Sequence, residues 1–145
     1  MTHPSDEVLR ALLGQARTIA IVGLSDKTDR DSNEIARYLQ GAGYRIVPVN
    51  PRLTEVLGEP AYPSVASIPS TIQVDVVDIF RRPEEVPPIV EESIARGVPA
   101  VWMQLGVAHP DAAARGRAAG LTVVEDLCIM TQHRRLAIGR VRAAA

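Results

Sequence analysis

The amino-acid sequence predicts an α/β fold in which helices cover both faces of a parallel sheet. Five short runs are rich in Val and Ile and show little alternation between apolar and polar residues, which is typical of strands buried on both faces. Helical segments follow these runs, and strands that alternate with helices form right-handed βαβ units. We therefore expect a Rossmann-like, doubly wound sheet of about five strands in a three-layer α/β/α arrangement, with residues 1–145 forming a single domain.

The predicted strands are Ile19–Gly23, Arg45–Asn50, Val74–Phe80, Ala100–Leu105 and Thr122–Glu125. A stretch rich in Pro, Ser and Gly, Leu53–Ile72, separates the second strand from the third. We expect this stretch to form an irregular crossover, because its composition favours turns.

Capping and turn residues predict where the helices begin and end. Asp31 and Glu34 form a candidate capping box after the first strand, and Gly43 suits the left-handed position that ends that helix. Pro87 and Pro88 are tolerated only in a first turn, so the third crossover helix starts near them and ends before Gly97. Further helices are predicted for Asp6–Ala16 and for the segment HPDAAARGRAAG.

Composition limits the classes of function. The net charge is −1, so nothing indicates a nucleic-acid or membrane partner, and no apolar run is long enough for a signal or a transmembrane helix. We expect a cytoplasmic protein. The basic stretch that begins at His133 is expected to be a solvated terminal helix. All basic residues except Lys27 are arginine, which fits either a thermophile or a GC-rich genome.

In doubly wound sheets, ligands bind beyond the carboxyl ends of the strands, where the strand order reverses. The segments that the predicted strands place there are Gly23-Leu24-Ser25, Asn50-Pro51-Arg52, Phe80-Arg81-Arg82 and Gln104-Leu105-Gly106. These segments are the candidates to line a binding crevice.

The loop after the first strand has some features of a phosphate-binding loop. Of the three glycines in a G-x-G-x-x-G pattern only Gly23 is present. Ser25 offers a hydroxyl, Lys27 and Arg30 offer positive charge, and the following helix offers free N–H groups. Asp31, acting as a cap, would compete with a phosphate for those N–H groups. By itself the loop fits a plain strand–turn–helix connection as well as a phosphate site.

The end of the second strand narrows the choice of ligand. Domains that bind NAD usually carry an acidic residue there, whereas this chain has Asn50-Pro51-Arg52. An arginine can instead meet a phosphate on the adenosine ribose. NADP and coenzyme A both carry such a phosphate, so Arg52 alone leaves both open.

A set of sequence blocks resembles the small stand-alone CoA-binding proteins, which are similar to the N-terminal CoA-binding domain of the succinyl-CoA synthetase α subunit. The blocks are AIVGLSDKTDRDS, GYRIVPVNPR, GEPAYPSVASIP, VDVVDIFRRPEEVPPIVEE, VWMQLGV and AGLTVVEDLC, and they extend from about Val8 to Leu136. Two positions depart from the family pattern, Asp31 in place of proline and Gln132 in place of Glu. The resemblance implies that coenzyme A contacts Gly23, Leu24, Ser25, Asp26, Ser32, Asn50, Pro51, Arg52, Ile79, Phe80, Arg81, Met103 and Gln104.

The sequence offers no evident catalytic centre and no metal site. Our first hypothesis is a module that binds coenzyme A or an acyl-CoA, with a partner acyl-CoA enzyme to act on it. An NADP-binding redox or regulatory domain is the first alternative. A small CoA-dependent acyl-transfer enzyme is the second alternative, with His109 as an acid or base or with Cys128 and His133 as a nucleophile–base pair. The absence of a convincing triad weighs against it.

Overall fold

A five-stranded parallel sheet forms the middle layer of the computed structural model, which describes residues 3–142. Its strands are β1 (Thr18–Val22), β2 (Arg45–Val49), β5 (Val76–Ile79), β6 (Ala100–Met103) and β7 (Thr122–Val124). The order across the sheet is β2-β1-β5-β6-β7, and every neighbouring pair is parallel. The predicted Rossmann-like α/β/α fold is therefore confirmed.

Helices cover both faces of the sheet. They are α1 (Asp6–Gln15), α2 (Asp31–Gly41), α3 (Val86–Arg96), α4 (Pro110–Ala118) and α5 (Ile129–Arg135), with a short 3₁₀ turn at Pro83–Glu85 before α3. Helices α1, α2 and α5 bury one apolar core with Ile21 and Trp102, and α3 and α4 bury another with Val77 and Val101. Strand residues alternate between these two cores, because successive side chains point to opposite faces.

The strand order reverses between β1 and β5, where the carboxyl ends of two central strands diverge into loops. Gly23 follows β1 and adopts a φ of +88°. A Cβ atom at this position would lie 2.5 Å from the carbonyl oxygen of Phe80, the residue after β5. Glycine is therefore required here both by the backbone conformation and by the close approach of the two strand ends.

The predicted capping box at α2 is wrong. Helix α2 begins at Asp31, its N-cap is Arg30, and no side chain accepts a hydrogen bond from its first turn. Asp31 is thus already helical, one position too late to cap. The end of the helix agrees with prediction, since Gly43 has a φ of +100°.

Two other segments differ from expectation. The crossover after β2 contains a small antiparallel hairpin, β3 (Glu55–Val56) and β4 (Glu59–Pro60), whose turn has positive φ at Leu57 and Gly58. The basic C-terminal stretch is not a continuous helix. Helix α5 ends at Arg135, and Val141 is buried, with its N–H donating to the carbonyl oxygen of Ala42. Residues 143–145 of this stretch lie outside the described residues.

Candidate functional site

Two adjoining cavities open at the carboxyl edge of the sheet. The first, which we call the polar cavity, has a volume of about 940 Å³ and lies beside the loops after β1, β2 and β5. The residues that line it are Gly23, Ser25, Lys27, Asp29, Arg30, Asp31, Ser32, Asn50, Pro51, Arg52, Phe80, Arg81, Arg82 and Glu85. Five of these side chains are basic and three are acidic, so the cavity is locally cationic although the chain as a whole carries a charge of −1.

Hydrogen bonds fix the loop between β1 and α2. The Ser25 N–H donates to Ser32 Oγ at 3.0 Å, and the Lys27 N–H donates to Ser25 Oγ at 3.1 Å. Asn33 Nδ2 donates to the carbonyl oxygen of Ser25 at 2.8 Å, which ties the loop to α2. Helix α2 has no side-chain cap, and the N–H groups of Asn33 and Glu34 donate to the Arg30 carbonyl oxygen. The N–H groups of Asp31 and Ser32 are therefore left without a partner in the helix, where the positive end of the helix dipole favours an anion.

Asn50 joins the loop after β2 to the loop after β1. Its Nδ2 group donates to the carbonyl oxygen of Leu24 at 3.0 Å, and its Oδ1 atom accepts from the Arg52 N–H at 2.9 Å. These two bonds hold the backbone of Arg52 in place, while its side chain remains exposed. Asn50 is therefore a structural residue of the site as well as a lining residue.

The basic side chains of the polar cavity fall into two groups. Arg81 and Arg82 both pair with Glu85, and the hydrogen bond from Arg81 holds the pKa of Glu85 below its ordinary value. Among residues 3–142, no carboxylate pairs with Lys27, Arg30 or Arg52. These three cations are available to an anionic ligand without first breaking an ion pair.

The second cavity, which we call the apolar cavity, has a volume of about 530 Å³ and adjoins the first. Asp31, Phe80, Arg81 and Arg82 line both. The remaining residues that line it are mainly apolar or small: Glu34, Ile35, Pro83, Gln104, Leu105, Gly106, Val107, Cys128 and Met130. The two cavities thus form one crevice with a cationic end and an apolar end.

Gln104 and Cys128 provide polar atoms at the apolar end. Gln104 is only 3% exposed, and its Oε1 atom accepts a hydrogen bond from the Ile129 N–H at 3.0 Å. Cys128 precedes α5 and is half-buried. On the same face of the sheet, Asp78 of β5 is completely buried, and neither of its carboxyl oxygens has a hydrogen-bond partner. Burial raises the pKa of Asp78 well above its ordinary value, and the charge of a Cys128 thiolate would raise it further.

The structure brings together most of the residues named from the sequence, but four of them line neither cavity. Leu24, Ile79 and Met103 are completely buried, and Asp26 is exposed on the outside of the loop. The three apolar residues support the strand ends from within the core and expose no surface to a ligand. The predicted residues that line the cavities are Gly23, Ser25, Arg30, Ser32, Asn50, Pro51, Arg52, Phe80, Arg81 and Gln104.

His109 does not lie in the crevice, contrary to the expectation behind its proposed catalytic role. It is the N-cap of α4, where its Nδ1 atom accepts from the Ala112 N–H at 3.0 Å. Its own N–H donates to Glu125 at 3.2 Å. This histidine therefore acts as a helix cap.

Sequence reasoning did not assign Ile35, Met130 and Glu85 to the site, and it treated Cys128 only as a candidate nucleophile. Ile35 and Met130 lie on α2 and α5 and line the apolar cavity. In the sequence they cannot be distinguished from apolar helix residues that pack in the core. The ion pair of Glu85 could have been predicted, because Glu85 lies four residues after Arg81 at the start of a helix and this spacing favours an ion pair. Among residues 3–142, no group of His, Cys, Asp or Glu side chains could hold a metal ion, and none of the described helices is long and apolar enough to cross a membrane.

The fold and the crevice define an α/β protein with a crevice, cationic at one end and apolar at the other, at the point where the strand order reverses. Comparison with known proteins specifies the family. Residues 17–134 match the family model of the CoA binding domain, and the chain belongs to this family.

Similar proteins span nearly the same length. The chain is 39% identical over 133 residues to the uncharacterized protein YneT of Bacillus subtilis, covering 92% of this chain and 97% of that protein. It is also similar to the solved structure of a hypothetical protein from Pyrococcus horikoshii, with 39% identity, a TM-score of 0.88, and coverage of 94% and 98% of the two chains.

A more distant match is an enzyme. The ADP-forming acetate–CoA ligase I of Archaeoglobus fulgidus is 32% identical over 76 residues, which is 52% of this chain but only 11% of the ligase. The region in common is thus a small part of that enzyme.

Proposed function

We propose that this protein binds coenzyme A, with the nucleotide in the polar cavity and the pantetheine arm in the apolar cavity. The observation that carries this proposal is the junction of the two cavities, which share Asp31, Phe80, Arg81 and Arg82. Coenzyme A has the matching form, a nucleotide with several phosphates joined to a long and less polar arm. Membership of the CoA binding domain family supports the same ligand.

The polar cavity suits the phosphates for two reasons. The start of α2 has no side-chain cap, so it offers backbone N–H groups to an anion. Asp31 does not cap this helix, and its carboxylate therefore does not compete with a phosphate for those groups as the sequence had suggested. Lys27, Arg30 and Arg52 add positive charge that no carboxylate among the described residues neutralises. We assign Arg52 or Arg30 to the ribose phosphate, because both are exposed and lie at the rim of this cavity.

The protein binds its ligand but does not itself catalyse a reaction of the acyl group. Among the described residues the crevice offers no nucleophile with a histidine beside it. His109 caps α4, the Nδ1 atom of His133 pairs with the Tyr38 hydroxyl, and neither histidine lines either cavity. In this reading a partner acyl-CoA enzyme acts on the bound thioester. An acyl-CoA binds in the same orientation, with the acyl group at the apolar end.

Isothermal calorimetry under reducing conditions tests the proposal with four ligands: CoA, dephospho-CoA, NADP and NAD. CoA is expected to bind most tightly, and dephospho-CoA more weakly because it lacks the ribose phosphate. NADP and NAD lack the pantetheine arm and leave the apolar cavity empty. Binding of NAD or NADP as tight as that of CoA contradicts the proposal.

A further inference from the structure

The charged side chains at the apolar cavity leave an excess of negative charge. Those that line it are Asp31, Glu34, Arg81 and Arg82. The two arginines pair with Glu84 and Glu85, which balance their charge although neither lines this cavity. Among residues 3–142, no basic side chain lies within ion-pair distance of Asp31 or Glu34. A charged group that enters the apolar cavity therefore meets carboxylates that no cation of the described chain neutralises.

Glu34 lies in the part of the crevice that the polar cavity does not include. Asp31 lines both cavities, whereas Glu34, three residues further along α2, lines only the apolar one. The spacing places both carboxylates on one side of the helix, beside Ile35, which is buried and lines the same cavity. A ligand whose phosphates occupy the polar cavity thus presents its far end on the side of Glu34.

Leu105 adds apolar surface to the same end of the crevice. It lines only the apolar cavity and, at 70% exposure, is the most exposed large apolar side chain among residues 3–142. Two hydrogen bonds fix its turn: the Val107 N–H donates to the Gln104 carbonyl oxygen at 2.8 Å, and the Gly106 N–H donates to Asp126 Oδ1 at 2.7 Å. An apolar chain in the cavity gains by covering this surface, whereas a charged group loses water there without gaining a partner.

We propose that the apolar cavity selects the acyl group of an acyl-CoA, accepting a short uncharged chain and disfavouring one that ends in a carboxylate, with Glu34 as the discriminating residue. The inference rests on the proposed function, because phosphates in the polar cavity are what direct the far end of the ligand towards Glu34. It deepens that function by naming the class of acyl group.

The physical basis is a difference between two ends of an otherwise equal chain. An uncharged end leaves the exposed Glu34 carboxylate in water and packs against the apolar lining. A carboxylate end brings a second negative charge towards Glu34 and Asp31, and the paired arginines are not free to compensate it. Like charges brought together in this way are a common device for rejecting a wrong ligand.

Isothermal calorimetry with three acyl-CoA ligands of equal chain length tests the inference. Butyryl-CoA ends in a methyl group, freshly prepared succinyl-CoA has a carboxylate in its place, and β-alanyl-CoA has an ammonium group there. We expect butyryl-CoA to bind at least about tenfold more tightly than succinyl-CoA, because the methyl group is buried and the carboxylate is repelled. β-Alanyl-CoA should also bind more tightly than succinyl-CoA, since its terminal charge is hydrated as well but has the opposite sign.

Glu34→Gln removes the charge and keeps the size of the side chain. The ratio of the affinities for butyryl-CoA and succinyl-CoA should fall by about threefold, the effect of one partly hydrated pair of like charges. The preference for β-alanyl-CoA over succinyl-CoA should fall as well. Glu7→Gln is the matched control, because Glu7 is exposed in the first turn of α1 and lines neither cavity, and both ratios should stay as in the wild type.

The outcomes separate this inference from the proposed function. If CoA binds but succinyl-CoA binds as tightly as butyryl-CoA, the selection is wrong and the proposed function stands. Ratios that are the same in Glu34→Gln as in the wild type overturn the role of Glu34. If CoA itself does not bind, the proposed function fails and the inference fails with it.

Discussion

Asp78 gives the most quantitative prediction of the structure. Its carboxyl group is completely buried without a hydrogen-bond partner, and burial raises its pKa well above the ordinary value of 3.8. In the unfolded chain the same group is in water and ionises near that ordinary value. The native state therefore holds one proton that the unfolded state has lost, over the pH range between the two pKa values.

The sign of the pH dependence follows directly. Where the native state binds more protons than the unfolded state, the free energy of unfolding falls as the pH rises. The slope for one proton is about 1.4 kcal/mol per pH unit. The contribution of Asp78 is thus fully present below about pH 3.8 and is lost progressively as the pH rises towards the raised native pKa.

Asp78→Asn removes the titration and keeps the size of the side chain. We expect the free energy of unfolding of the variant to rise relative to that of the wild type as the pH increases from 5, by at most about 1.4 kcal/mol per pH unit while the native carboxyl group stays protonated. Urea unfolding of both proteins at pH 5, 6 and 7 measures this difference, and all other titrating groups cancel because both proteins contain them. Asp111→Asn, at an exposed position on α4, is the control for the effect of an Asp-to-Asn change itself. A constant offset between Asp78→Asn and the wild type across this range would refute a protonated Asp78.

Three further predictions concern the crevice and its frame. Arg52→Ala should weaken CoA binding about tenfold or more, since a charge-assisted hydrogen bond contributes roughly 1.5–3 kcal/mol. In calorimetry, the same substitution should have a smaller effect on the binding of dephospho-CoA, and the control Arg45→Ala should have none on the binding of CoA. If neither Arg52→Ala nor Arg30→Ala weakens CoA binding, these two residues do not hold the ribose phosphate. Gly23→Ala should lower the free energy of unfolding more than Gly58→Ala, because both residues have positive φ but only Gly23 brings a Cβ into contact with Phe80; equal losses in urea unfolding would contradict the close approach. His109→Ala should lower the free energy of unfolding by about 1 kcal/mol, because the cap of α4 is lost, and should leave the affinity for CoA unchanged. A loss of affinity for CoA would indicate that His109 contributes to the binding site.

The sequence predicted the sheet well because its strands are short apolar runs between clear breaks. The predicted strands ran too far mainly at their carboxyl ends, as with Phe80 and Leu105, which are apolar but lie beyond the last parallel pairs. The hairpin in the Pro-rich crossover was not predicted, because its strands are two residues long and therefore show no alternation of apolar and polar residues. The start of α2 was predicted only one residue too late, with Asp31 as the N-cap in place of Arg30. This small error matters because the sequence predicted a helix start capped by a side chain, whereas the structure has one without a side-chain cap.

The contents of the crevice were predictable only in part, for a reason that Asp78 illustrates. The strand sequence VDVVDIF contains two acidic residues three positions apart, and alternation places them on opposite faces. Asp75 accepts hydrogen bonds from the N–H groups of Arg17 and Thr18 at the start of β1, whereas Asp78 has no partner at all.

Nothing local distinguishes these two residues, because the burial of Asp78 depends on helices that come from both ends of the chain. The same holds for Cys128, which lines the same cavity as Gln104 only after the β6–α4–β7 unit folds. The cationic end of the crevice was predictable from the loops after β1 and β2, because single residues there carry the charge and the turn signals. The apolar end was not, because residues from α2, the loops after β5 and β6, and α5 form it together only in the folded chain.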